Sequence, residues 1–172
     1  MSFASKLGKS YEQVKDQAKI KKITIELGEV KFDLKVRIPL KQEMEDLLDK
    51  IANPSEEKID ALYEKLSKGV KGAIEEGGAE FLKTINDGKE VIVVTDNDII
   101  VDGTSIRQVA KMTAINECQV EEYFHLLQSE NGEAITESYN EIAAEFPEQV
   151  IKAIISEIDG AIRPDYKTAK KN

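Results

Sequence analysis

The chain has 172 residues, with no tryptophan, one histidine, one cysteine and an aromatic content of only 6%. A lone Cys118 can close no intramolecular disulfide and can found no multi-cysteine metal site. No apolar run approaches the roughly 20 residues that cross a bilayer, and the opening residues lack the apolar stretch of a secretory signal. Basic side chains are also in deficit, 24 against 33 acidic ones, for a formal charge of −9. The expectation is a cytoplasmic protein with one domain and flexible ends. At this length, folding buries roughly 70% of the unfolded chain's surface, enough for a core without staples.

The charge is unevenly placed. Residues 1–22 carry six lysines against Glu12 and Asp16, a net of +4, and residues 163–172 carry a net of +3. That leaves −16 on residues 23–162 out of the total of −9. An acidic body repels nucleic acid, whose binding rests on neutralised phosphates. Oppositely charged body and ends favour self-association through a basic arm on an acidic neighbour.

Three regions follow from the pattern. Residues 1–20 place Phe3, Leu7, Tyr11, Val14 and Ala18 on one helical face, an amphipathic arm. Residues 21–162 read as a single α+β domain, and residues 163–172 as a basic disordered tail. Within the domain, Ile23, Ile25 and Leu27, then Val30, Phe32, Leu34, Val36 and Ile38, alternate with polar residues around Gly28-Glu29. This predicts a β-hairpin over 23–38 with a type II′ turn, ended by Pro39. A second hairpin is expected over 91–101, its apolar runs Val91–Val94 and Ile99–Val101 buried on both faces. The two hairpins are expected to share one small antiparallel sheet.

The rest reads as helix. Leu40, Met44, Leu47, Leu48 and Ile51 form one stripe. Asn53-Pro54-Ser55-Glu56 then predicts a helix capped by Asn53, weakened at Gly69 and Gly72 and stopped by Gly77-Gly78. A short helical piece through Phe81, Leu82 and Ile85 is expected to end at Gly88. Helix starts are expected at Ser105 and again at Asn116, the second helix carrying Val120, Tyr123, Phe124 and Leu127 to a break at Asn131-Gly132. Ile135, Tyr139, Ile142 and Phe146 form the face of one further helix, and Pro147 starts the last, with Val150, Ile151, Ile154, Ile155, Ile158 and Ile162.

Reactive constellations are scarce. His125 stands one helical turn from Glu121 and Glu122, a pair that could act as a general base but reads more simply as an ordinary helical histidine. No Gly-x-Ser-x-Gly elbow offers a nucleophile. Cys118, near the helix start expected at Asn116, lacks a cation beside it and reads as a core or boundary residue. Asp96, Asp98 and Asp102 fail the spacing of a calcium loop and are explained by turn chemistry. The glycines match no phosphate-binding pattern. The expectation is a protein without catalytic residues, metal or other cofactor.

One stretch does resemble a known family. Val30-Lys-Phe-Asp-Leu-Lys-Val-Arg-Ile-Pro-Leu-Lys-Gln-Glu-Met-Glu-Asp-Leu-Leu-Asp-Lys-Ile51 is similar to the opening of small bacteriophage tail assembly chaperones, where an early strand runs through a turn of this kind into an amphipathic helix. The acidic, helical remainder and the charged tail are similar in style. The resemblance implies a non-catalytic protein of long-tailed phages, working in the host cytoplasm. It would bind the tape-measure protein, promote polymerisation of tail-tube subunits around it, and have no membrane or nucleic-acid partner. Such a role needs apolar stripes to offer a helix. Phe3, Leu7, Tyr11 and Val14, with Ile154 and Ile158, are the candidate partner-binding residues. Two other readings stand beside it: a structural tail or virion assembly component, and a small ligand-binding domain or enzyme with scattered site residues.

Overall fold

A computed structural model describes residues 19–83, 85, 86 and 89–163, with Lys6, Gly8, Lys9 and Tyr11 before them. The expected N-terminal helix therefore lies largely outside the described residues, although Lys9 and Tyr11 are helical, and the expected tail lies outside them beyond Arg163. The architecture is α+β. It divides into two compact units, one of residues 50–118 and one formed by the chain before and after that stretch.

The second of these units begins with strands β1 (Ile20–Leu27) and β2 (Val30–Arg37), paired antiparallel from Ile20 opposite Arg37 to Leu27 opposite Val30. Gly28 adopts φ +62°, while Glu29 is not left-handed, as a type II′ turn requires. Alternation then separates two faces. Ile23 lies opposite Leu34 and Ile25 opposite Phe32 on the apolar face. On the wet face Thr24 Oγ1 donates to Asp33 at 2.7 Å, Lys22 pairs with Asp33 at 2.6 Å and Lys31 with Glu26 at 2.5 Å.

Pro39 ends the hairpin, and Glu43 accepts from the Leu40 N–H at 2.7 Å and from Arg37 at 2.8 Å, opening helix α1 (Lys41–Ala52). Of the stripe expected on α1, Leu47 and Ile51 are buried, whereas Leu40 and Leu48 are exposed. Helix α5 (Glu148–Ile162), which follows Pro147, lies against β1 and covers the apolar face of the hairpin. Its Ile154, Ile158, Ala161 and Ile162 are buried, each large side chain worth about 1.5–3 kcal/mol in burial.

The other unit starts with helix α2 (Glu56–Leu82). Its cap is Ser55 rather than Asn53: Ser55 Oγ accepts from the Lys58 N–H at 3.3 Å. Ser55 takes the extended backbone of a cap residue, φ −62° and ψ 146°, and its hydroxyl supplies the capping acceptor one residue beyond Pro54. Gly69 and Gly72 remain helical, and the break falls at Gly78, φ +57° and ψ −149°. Ile85 belongs to a two-residue strand, β3 (Ile85–Asn86), paired with β4 (Lys89–Glu90), so the short helical piece stops at Leu82.

Strands β5 (Ile92–Val94) and β6 (Ile99–Val101) form the second hairpin, extended by β7 (Thr104–Ser105). The two hairpins therefore belong to separate sheets. Nor is this one buried on both faces: Ile92 and Ile99 are buried, while Val94 is 51% exposed. The turn between β6 and β7 is Asp102-Gly103, both with positive φ, as a type I′ turn demands.

Helix α3 (Ile106–Phe124) then runs unbroken through Asn116. No glycine or proline interrupts it there, and asparagine's helix cost is small against tertiary packing. Ile59, Tyr63, Ala110 and Ala114 make the core between α2 and α3. Cys118 accordingly sits in the C-terminal half of α3, away from any helix start.

Candidate functional site

The described residues after α3 build a cleft of about 520 Å³ in the unit that holds the first hairpin. Strand alternation points Phe32 and Leu34 of β2 to the apolar side. Strand β8 (Leu127–Gln128) pairs with the free edge of β2, Leu127 opposite Val36, and brings Leu127 and the preceding Phe124 alongside. Helix α4 (Tyr139–Glu145) contributes Ile142, followed by Phe146, and α5 contributes Ile154 at the floor. The Phe124 and Phe146 rings meet edge to face, 5.7 Å between centroids at 68°.

A short connecting segment forms the cleft's lip. Ser129 Oγ accepts from the Glu133 N–H at 3.1 Å, and Gly132 takes φ +82° to turn the chain. The Ile135 N–H returns to the Leu127 carbonyl at 3.4 Å, placing Ile135 over the apolar floor. His125 Nε2 lies 2.9 Å from the Glu137 carbonyl oxygen, and Glu121 accepts from the Tyr139 N–H at 3.3 Å. The sole histidine and Glu121 each fasten the lip through these bonds.

The rim is acidic. Glu130, Glu137, Glu141 and Glu145 border the cleft, with Asp33 and Lys35 at the strand side. Glu141 is committed to the start of α4, accepting from the Ser138 hydroxyl at 2.7 Å and its N–H at 2.8 Å. These donors hold its carboxyl below the ordinary range. Asp33 is likewise lowered, first by Lys22 and then by Thr24. Chemically, the arrangement is an apolar floor with a negative edge. It suits an amphipathic surface with cations flanking its apolar stripe.

A second concavity, about 570 Å³, lies in the unit of residues 50–118 beside Tyr63. Lys71 Nζ and the Arg107 guanidinium carbon stand 5.1 and 5.0 Å from the Tyr63 ring centroid. Both cations are already engaged, Arg107 with Asp60 at 2.9 Å and Lys71 with Glu64 at 2.8 Å. The nearby Asp98 works as a brace. Its carboxylate accepts from the Ile99 and Arg107 N–H groups at 2.8 and 2.9 Å and from the Ser105 hydroxyl, tying the hairpin turn to the start of α3. Burial raises its pKa, but these donors outweigh that and leave it below the usual value. Thr95 closes the same turn by donating its N–H to the Asp98 carbonyl at 2.9 Å. Among the described residues, no group of three or more His, Cys, Asp or Glu side chains converges as metal ligands do.

Among the expected partner-binding residues, Phe3, Leu7 and Val14 lie outside the described residues, and Tyr11 is helical and 43% exposed. Ile154 and Ile158 are 1% and 0% exposed, as core residues beneath the sheet are. Ile154 enters the site only as its floor. Sequence reading missed the cleft as a unit. Its apolar residues were visible as separate stripes, while the convergence depends on β8, too short to show alternation. Comparison with protein-family models, curated proteins and solved structures finds no match. Among the described residues no helix is long and apolar enough to cross a membrane.

Proposed function

We propose that this chain is a non-catalytic assembly chaperone of the phage tail type, which holds amphipathic helical segments of a long partner in the cleft between β2, β8, α4 and α5. The observation that carries this reading is the pairing of an apolar floor with a carboxylate rim. A helix laid there buries its apolar stripe on Phe32, Leu34, Ile135 and Phe146, while flanking lysines or arginines meet Glu130, Glu137 and Glu145. The acidic body keeps the loaded complex soluble by mutual repulsion. The similarity of residues 30–51 to tail assembly chaperones points to the tape-measure protein as that partner, with tail-tube subunits joining later, in the host cytoplasm. Engagement of His125 in fastening the lip speaks for binding rather than catalysis.

The test is affinity capture of the tagged chain from its host during phage production, with identification of what is recovered. A very long, helix-rich protein or tube subunits are the expected yield. Recovery of the bait alone overturns the reading. A second reading, a small-molecule binding domain, is favoured by one observation: about 520 Å³ falls within the ordinary range of ligand pockets. Thermal stabilisation by an apolar small molecule, abolished by Phe146→Lys, would select it.

A further inference from the structure

We propose that the outer edge of β1 is an interface between copies of this chain: β1 of a second copy adds to it antiparallel, about a two-fold axis at Thr24. The surface is separate from the cleft and does not depend on the cleft's role.

The edge is open, and its backbone groups are aimed outward. In the order β1–β2–β8, β1 has no strand on its far side among the described residues. The register settles which residues face that side. The Ile38 N–H donates to the Lys19 carbonyl at 2.6 Å, across to β1. The Arg37 N–H, opposite Ile20, turns away and donates to the Leu126 carbonyl just before β8 at 2.8 Å. Antiparallel alternation then commits Lys21, Ile23, Ile25 and Leu27 to β2. It leaves the N–H and C=O groups of Lys22, Thr24 and Glu26 pointing to the open edge. The side chains of Lys22 and Glu26 are 68% and 61% exposed, so the wet face is open there as well.

Those outward residues complement their own copy. With Thr24 opposite Thr24, each Lys22 falls opposite the other copy's Glu26, and Ile23 meets Ile25 on the apolar face. All three outward residues then sit in hydrogen-bonded pairs, for about six main-chain bonds. Each Glu26 lies between Lys31 of its own chain, 2.5 Å away, and Lys22 of the other. A slip of two residues either way sets Thr24 against Lys22 or Glu26 and leaves the charges unmatched. Helix α5 leaves room for the second copy. Its Ile154 lines the cleft beside Leu34 and Leu127, and its Asp159 is tied to Tyr123 at 2.7 Å, so it is held toward the β8 side of the sheet. Helices pack about 8–10 Å apart, roughly two strand spacings, so two α5 helices held inward fit on one face of the joined sheet.

The test is sedimentation of the full chain between roughly 1 and 200 µM, where a dimer is expected to form. Lys22→Glu sets like charges against Glu26, and Glu26→Lys sets like charges against Lys22. Each variant alone is expected to weaken the dimer at least tenfold. Mixed in equal amounts, the two are expected to recover it, because each offers the charge that the other lacks. An unaltered chain that stays monomeric throughout, either variant dimerising like the unaltered chain, or no recovery on mixing overturns the proposal. Register is read by disulfide formation. The Thr24→Cys, Cys118→Ala chain is expected to link to its own copy under mild oxidation, since hydrogen-bonded antiparallel pairs stand about 5.5 Å apart at Cα, within disulfide reach. The Ile20→Cys, Cys118→Ala chain is expected to stay unlinked, its two cysteines lying roughly 27 Å apart along the joined strands. Equal linkage of both chains overturns the pairing about Thr24.

Discussion

The Tyr123 hydroxyl donates to Asp159 Oδ1 at 2.7 Å, joining the end of α3 to the last turn of α5 across 36 positions of sequence. Arg163 completes the arrangement: its Nη2 donates to the Tyr123 oxygen at 3.0 Å and its Nε to Asp159 at 3.0 Å. Tyr123 is buried, so the ring packs while its polar tip is satisfied. Burial and then the Asp159 carboxylate push the Tyr123 pKa upward. Burial also raises Asp159, but the donors from Arg163 and Tyr123 outweigh it and leave that carboxyl below its ordinary value. Tyr123→Phe is expected to lower stability by about 1.5–3 kcal/mol, the value of a hydrogen bond to a charged group. The urea midpoint should move down with an unchanged slope.

Both carboxylates that brace the fold make it sensitive to acid. Asp159 and Asp98 have folded pKa values below their unfolded ones. Their contribution is therefore present above the unfolded aspartate pKa and is lost as pH falls through the folded one. Tyr123 acts at the opposite end: its raised pKa makes its contribution complete below the unfolded value near 10 and lost as pH rises beyond it. Stability measured by urea from pH 7 to pH 2 should decline below about pH 4. The Asp98→Asn, Asp159→Asn variant should show a visibly shallower decline.

Removing the Asp98 brace outright is expected to be costlier than its exposed turn suggests. Asp98→Ala leaves the Arg107 N–H and the Ser105 hydroxyl without their acceptor. A loss of about 1–2 kcal/mol is expected, as for a lost helix cap, read from the urea midpoint. Gln108 should retain its bond to Ser105 Oγ, so α3 should keep its helical signal.

Ser67 on α2 is fully buried, and its hydroxyl has no hydrogen-bond partner among the described residues. A buried hydroxyl without a partner costs desolvation energy that nothing returns. Ser67→Ala is expected to raise stability by about 1 kcal/mol, seen as an upward shift in the melting temperature.

The cleft can be tested apart from the fold. Phe146 is 36% exposed, so Phe146→Lys should be tolerated by the core. It puts a cation beneath the apolar stripe of a docked helix, where apolar floor had been. Affinity for an 18-residue Leu/Lys amphipathic peptide should fall at least tenfold, with stability lowered by only about 1–2 kcal/mol through loss of the ring pair with Phe124.

What the sequence could convey was local. The first hairpin was legible because Gly28 sits where a II′ turn needs positive φ, with five alternating residues before it, Ile23–Leu27, and eight after the turn, Val30–Arg37. The Asp102-Gly103 turn carried an equally clear hairpin signal, but β7 behind it has only two residues, too few to show alternation. Strand β8 was not legible at all. Two residues carry no period, and Leu127 fits a helical stripe as well as a ladder: only the free edge of β2 decides. The cleft shared that fate, since Phe32, Phe124, Ile135 and Phe146 come from four separate segments. The break in α2 was readable to within one residue because glycine alone adopts Gly78's backbone freely.

The sheet order β1–β2–β8 leaves β1 on the outside, with eight residues and a free edge among the described strands. Such an edge is a template for fibre growth, because any extended chain can add to it. Here Lys22 and Glu26 alternate with Thr24 along one side, and Lys21 breaks the apolar row on the other. A second copy added in parallel register would stack lysine on lysine and glutamate on glutamate, a repulsion that fibrils must overcome at every rung. Replacing Lys21 and Lys22 with valine would remove most of that safeguard and turn the strand into a nucleus for amyloid.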